Sequence, residues 1–163
     1  MNITQNVIEF QTEPFLFSNP ENLKNYNENN LHEYYDGYNY EGILIKSYEN
    51  KKISGFALFL PVISQSKPQT KQAVFLANLV YSNPNEAKKL IREGLMCSWE
   101  DGYHVAFVFG ENQLYNNLGF QKVSKNFFDS RNNRLSLLMY ELSWNGLEMI
   151  SNDLLLPVQQ EFV

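Results

Sequence analysis

The sequence predicts a single α/β (α+β) domain on a mixed, mostly antiparallel sheet, and three stretches carry that reading. The nearly continuous apolar run "AVFLANLVY" (73–81) leads through "SNPNEAKKLIREGL" into "YHVAFVFG" (103–110). Strand, helix and strand at this length imply a right-handed parallel crossover, and the apolar runs suit strands covered on both faces. "GILIKSYENKKISGFALFLPV" (42–62) places two β-rich runs around Glu49-Asn50-Lys51-Lys52, a hairpin by its turn chemistry. Lastly, "FQKVSKNFF" and "RLSLLMYEL" form an antiparallel pair across "DSRNNR".

Taken in order, Val7–Phe10 and Phe15–Phe17 flank Glu13-Pro14 and predict a strand or bent strand. Residues 19–42 are polar and rich in Asn and Tyr, which predicts one or two short irregular helices and a long loop. "SQSKPQTKQ" is a loop. The main helix opens with Asn83 as N-cap, Pro84 in the first helical position and Glu86 where a capping-box acid belongs. Ala87, Leu90, Ile91, Gly94, Leu95, Ser98 and Trp99 recur at helical spacing and predict its packed face, with Gly102 as the stop. "ENQLYNNLG" is a short helix ended by Gly119, and "DLLLPVQQEF" in the tail is a short strand or extended piece. Neither repeat nor linker interrupts residues 1–163.

Composition narrows the function classes. A formal net charge of −5 disfavours nucleic acid and acidic membrane surfaces, which call for a basic face, and mildly favours cationic amines. Cys97 is the only cysteine, which excludes an internal disulfide; within a helix and with no His nearby, it reads as a small hydrophobe. "MNITQNVIEF" lacks the features of a signal peptide, and no apolar run reaches the ~18 residues of a membrane span. The expectation is a soluble, cytoplasmic protein. With 12 Phe and 10 Tyr, a homodimer is plausible.

Residues Tyr115-Asn116-Asn117-Leu118-Gly119-Phe120 follow a buried strand and match a Tyr-x-x-x-Gly-Phe signature. Here the chain resembles the GNAT superfamily of CoA-dependent N-acyltransferases, in particular its YhbS-like branch. "LIREGL" and "DGYHVAFVFG" are similar to the family's third helix and fifth strand, and "WNGLEMISNDLLLPVQQEF" to the closing segment of its YhbS-like members. The resemblance implies a GNAT-like fold with helices on both faces of the sheet. It also implies acetyl-CoA as co-substrate, no metal, and an amine of a small molecule or peptide as acceptor.

The implied chemistry needs a polarised thioester carbonyl and a protonated leaving thiolate. In the family the fourth and fifth strands splay and the pantetheine arm lies between them. A backbone N–H of the fourth strand, here from Leu79, Val80 or Tyr81, would polarise the carbonyl. Tyr115 would protonate the sulfur, since a phenol of pKa ~10 is neutral at pH 7 and suits a thiolate of pKa ~8.5. Tyr115 could instead pack its ring beneath the helix. Asn112 suits either a pantetheine contact or an N-cap.

The family's pyrophosphate loop relies on glycines that open backbone N–H groups to phosphate, at a helix N-terminus. Ser82-Asn83-Pro84-Asn85-Glu86-Ala87 is about four residues shorter and has no glycine, and Pro84 has no N–H. Asn85, Glu86 and Ala87 would supply the remaining amides, helped by Lys88 or Lys89. Losing two charge-assisted bonds would weaken coenzyme binding by roughly 10²- to 10⁴-fold. The loop reads as degenerate, which leaves open a catalytically inactive GNAT-fold module that binds a protein or other ligand.

His32, Glu33, Asp36 and Glu41, with four tyrosines among residues 31–42, could line an acceptor site or form a surface loop. Glu33 and Asp36, or a water chain, are candidates for the general base. His104 reads as structural, and Lys51 and Lys52 as solvated. No His or Cys pair stands at metal-ligand spacing.

Overall fold

The computed structural model describes residues 8–16, 34–35, 41–110, 113–129 and 131–156. Along these run β1 (Ile8–Phe15), β2 (Gly42–Glu49), β3 (Lys52–Ser64), β4 (Ala73–Val80), α1 (Pro84–Glu100), β5 (Val105–Phe109) and α2 (Gln113–Leu118). Then come β6 (Gln121–Lys122), β7 (Phe127–Asp129), β8 (Arg134–Leu135), β9 (Leu137–Glu141), a 3₁₀ turn at Gly146–Met149 and β10 (Leu154–Leu156).

The main sheet has the order β1-β2-β3-β4-β5-β9-β6, antiparallel throughout except for β4 and β5. Beyond the end of β2, β3 pairs with β10, which runs parallel to β7, and β7 pairs with β8. The predicted terminal hairpin therefore forms in two halves, Gln121 opposite Met139 in the main sheet and Phe127 opposite Leu135 in the small one. The first predicted strand is one continuous strand. It tolerates Pro14 because β1 is an edge strand, paired to β2 alone. The predicted hairpin turns at Asn50 and Lys51, both at positive φ (52° and 66°), the type I′ geometry that matches strand twist.

Two apolar layers cover the sheet. α1 and α2 share one of them, with Ile45, Phe59, Leu76, Leu90, Ile91, Leu114 and Phe120. The other holds Phe15, Leu58, Phe75, Phe107, Phe127 and Leu154. Tyr34 and Tyr35 pack edge to face there, their hydroxyls donating to the carbonyls of Leu155 and Pro61, while the Ile63 N–H donates to Tyr34 at 2.9 Å. The helices expected between β1 and β2 fall mostly on residues 17–33 and 36–40, outside the described residues.

The predicted face of α1 is buried from Ala87 to Ser98, but Trp99 is 57% exposed and does not belong to it. Gly94 faces the ring of Phe59 so closely that a Cβ built on it would lie 1.9 Å from Phe59 Cε2. The absence of a side chain here sets how near α1 can lie to the sheet. The helix ends in a Schellman motif: Gly102 (φ 96°) donates to Trp99 O and Tyr103 to Ser98 O.

Candidate active site

β4 and β5 are paired only at Ala73–Val105, Val74–Ala106 and Phe75–Phe107. Past that point β4 carries a bulge: Leu76 pairs with Phe59 and Asn78 with Leu58, leaving Ala77 without a partner on β3. A bulge bends its strand and steepens the twist. β5 continues straight through Val108 and Phe109, paired there with Leu138 and Leu137 of β9. The two parallel strands thus part after Phe75 and Phe107 and leave a wedge. Exposure follows the parting, from 5% at Leu76 to 46% at Val80 and 40% at Tyr81. The sequence reading of 73–81 as a strand covered on both faces fails beyond Leu76, because β4 has there lost its neighbour on one side. Leu79 and Val80 remain paired with Ala57 and Phe56 on β3. Ala77 was not among the predicted site residues. The signal was present: Ala-Asn is a weakly β-forming pair inside an otherwise strongly β-forming run.

α2 borders the wedge. Leu114 is buried and Tyr115 half-buried, packed against the same layer as α1. The Tyr-x-x-x-Gly-Phe signature has a local physical cause. Gly119 (φ 104°) donates to Asn116 O and Phe120 to Tyr115 O, at 3.1 and 3.0 Å, a second Schellman motif. The hydrophobic contact that accompanies such a motif is Phe120 on Tyr115, ring centroids 5.8 Å apart, and Phe120 in turn meets Tyr140 at 5.6 Å. The cap fixes where the tyrosine ring sits. The Tyr115 ring is thus packed, and Tyr81, just past the end of β4, is among its neighbours.

Burial holds the Tyr115 phenol above the usual range, and the neighbouring Tyr81 pushes it further the same way. Both effects disfavour the phenolate. Tyr115 therefore stays a proton donor at every pH below the ordinary phenol value near 10. An ultraviolet alkaline titration is expected to show one tyrosine ionising above the rest, and Tyr115→Phe should remove that component. Loss instead of a component in the ordinary phenol range would place the hydroxyl in solvent.

The β4–α1 turn is closed upon itself. Asn83 Oδ1 accepts the Glu86 N–H at 3.0 Å, and Asn83 O accepts the Ala87 N–H at 3.2 Å. Glu86 is buried, its carboxylate turned inward to accept from the Ser82 N–H at 2.7 Å and the Ser54 hydroxyl at 2.6 Å. Of the three amides expected to hold phosphate, two are thus committed within the turn and that of Asn85 remains. Lys88 is half-buried and Lys89 exposed on the first turn of α1. Glu86 does not project its charge toward the turn's mouth. Its bonds to a main-chain amide and a hydroxyl tie β3 to the start of α1. Replacing it with Ala is expected to cost about 1–3 kcal/mol, read by urea unfolding, because two part-buried bonds lose their charged acceptor.

Other predicted residues lie elsewhere. His104 is a structural joint: its N–H donates to Gln72 O, its carbonyl accepts from Leu142 and Ser143, and Nδ1 lies 2.9 Å from Ser143 Oγ. Cys97 is half-buried near the end of α1, and burial, opposed by hydrogen bonding with the Thr12 hydroxyl, raises its pKa on balance. A raised thiol is a poor nucleophile. Glu41 shares a surface groove with Cys97, Glu100 and Asp101, beside the end of α1 that lies farthest from the β4–α1 turn. It is not brought together with Tyr115. Asn112, His32, Glu33 and Asp36 lie outside the described residues. Among the described residues no three His, Cys, Asp or Glu gather as a metal site, and no helix is long and apolar enough to cross a membrane.

No protein-family model matches the chain, and no curated protein matches it in sequence. Solved structures do resemble it in fold. The GNAT family N-acetyltransferase YhbS from Escherichia coli, in complex with CoA, superposes with a TM-score of 0.65 at 17% identity, over 95% of this chain and 93% of its own. A GNAT family acetyltransferase from Brucella melitensis, in complex with acetyl-CoA, gives 0.53 at 14% identity, over 85% and 90%. An aminoglycoside 6′-acetyltransferase type Ii gives 0.51 at 14% identity, over 83% of this chain and 99% of its own. At these identities the likeness is one of fold, and it extends over nearly the whole of both chains: the chain has the fold of the GNAT N-acetyltransferases.

Proposed function

We propose that this chain is an N-acyltransferase that moves acetyl from acetyl-CoA to a primary amine of a small molecule or peptide. The observation that carries the reading is the wedge between β4 and β5, with the half-buried Tyr115 at its side. When bound, the coenzyme supplies the activated acyl group. The half-buried Leu79 and the exposed Val80 at the end of β4, with Tyr81 just beyond, offer a surface for an extended arm, and the N–H groups from Ala77 to Tyr81 are the candidate carbonyl donors. Tyr115, held neutral by burial, suits the role of proton donor to a departing sulfur. Asn85, Lys88 and, outside the described residues, Asn112 would hold the rest of the coenzyme. Ala87 contributes no free amide to it. The resemblance to an aminoglycoside acetyltransferase is consistent with a small-molecule acceptor.

A second reading rests on the closed β4–α1 turn. With two of its amides committed to Asn83 and none supplied by Pro84, the turn favours a GNAT-fold module that binds a ligand without transfer. Thiol release from acetyl-CoA across a panel of primary amines separates the two. Amine-dependent release supports the transferase, and coenzyme that neither binds at millimolar concentration nor reacts supports the module.

A further inference from the structure

From the groove beside the β6–β9 pair we infer that the acceptor amine carries an oxyanion, a carboxylate or a phosphate, held by Lys122 and Arg134; the inference rests on the transferase reading. The chain is acidic overall, with 18 Asp and Glu against 13 Lys and Arg. Yet a groove of about 390 Å³ is lined by Lys122, Lys125 and Arg134, with no acid among its described lining residues. Lys125 is tied to the Leu147 carbonyl at 2.9 Å. Lys122 and Arg134 are exposed and enter no ion pair among the described residues. Two unneutralised cations beside one concavity, on a chain of net negative charge, form a local site for an anion.

Its place in the sheet ties it to the wedge. Lys122 pairs with Leu138, which pairs with Val108, the first β5 residue beyond the last β4–β5 pair. Two strand spacings, on the order of 10 Å, separate that rung of β6 from the mouth of the wedge. Val123, Leu135 and Leu137, which also line the groove, pack on the layer opposite α1 and α2. Lys122, opposite Leu138 of the α1 and α2 layer, reaches the groove from the sheet's edge, so the site borders both faces. The split of the terminal hairpin between two sheets is what opens the groove, since Val123 keeps one main-chain bond, to Leu137 O at 3.2 Å, and residues 124–126 pair with neither sheet.

The test compares O-phosphoethanolamine with ethanolamine, which differ only in the phosphate. Calorimetry at low ionic strength is expected to show saturable binding of O-phosphoethanolamine and none of ethanolamine. Lys122→Gln and Arg134→Gln should each weaken binding by about tenfold. Both side chains are exposed, so the fold is expected to persist. Equal binding of the two amines, no binding of either, or variants that bind as the parent does would overturn the inference. Transfer assays keep the two levels apart. Anion binding at the groove without transfer to any amine would sink the transferase reading and leave the anion site standing. Transfer to uncharged amines with kcat/KM unaffected by either substitution would sink the acceptor class and leave the transferase.

Discussion

Tyr115→Phe is expected to lower turnover by about 10²- to 10⁴-fold while changing the affinity for acetyl-CoA by no more than about twofold. The substitution removes one oxygen and nothing else. The ring contact with Phe120 and the Schellman bonds from Gly119 and Phe120 are unaffected, so the short helix keeps its cap. An effect on kcat with binding intact is the signature of an interaction made in the transition state alone. The pH profile adds a second readout. Because burial and Tyr81 raise the phenol, the parent should keep its activity to pH values above the ordinary phenol range and lose it only as Tyr115 ionises. The residual activity of the variant should lack that alkaline loss. Equal turnover in parent and variant would leave Tyr115 with the packing role alone.

Gly94→Ala should cost stability, against the usual rule that alanine improves a helix. Helix propensity gains about 1 kcal/mol from the exchange. The new methyl, however, would lie 1.9 Å from Cε2 of Phe59 and 2.5 Å from two further ring atoms. Phe59 is fully buried between Ile45, Leu76 and the apolar face of α1, so its ring cannot swing aside freely. Overpacking of this kind costs about 3 kcal/mol, which leaves a net loss of about 2 kcal/mol. For a domain of this size that lowers Tm by roughly 4–8 °C. Shrinking the partner provides the control: Phe59→Leu with Gly94→Ala should lose less than the sum of the single changes, because the methyl then occupies freed space. Strict additivity in thermal or urea unfolding would mean that helix and strand lie farther apart than described.

Much of this was legible in the chain. The apolar run of β4, the capped helix and the run of β5 predicted the parallel pair, and Asn50-Lys51 predicted the hairpin. Those signals are local, written in side-chain period and turn chemistry. The bulge at Ala77 was not foreseen, because register is a relation between two strands and period alone cannot show one surplus residue. Trp99 was misplaced for a related reason: a stripe at 3.6-residue spacing continues on paper past Ser98, where the buried face of the helix ends. The inward turn of Glu86 depends on Ser54, 32 residues away in sequence. The missing glycines of the β4–α1 turn were visible at once. The commitment of two of its three amides to Asn83 became evident only in the fold.

Mapping backbone amide shifts as acetyl-CoA is added tests the wedge most directly. The account predicts saturable changes centred on Ala77 to Val80 of β4 and the adjoining Tyr81, Val108 and Phe109 of β5, and Tyr115, with little change along β1 and β2. Saturation with those amides unmoved, or changes confined to another face, would contradict it.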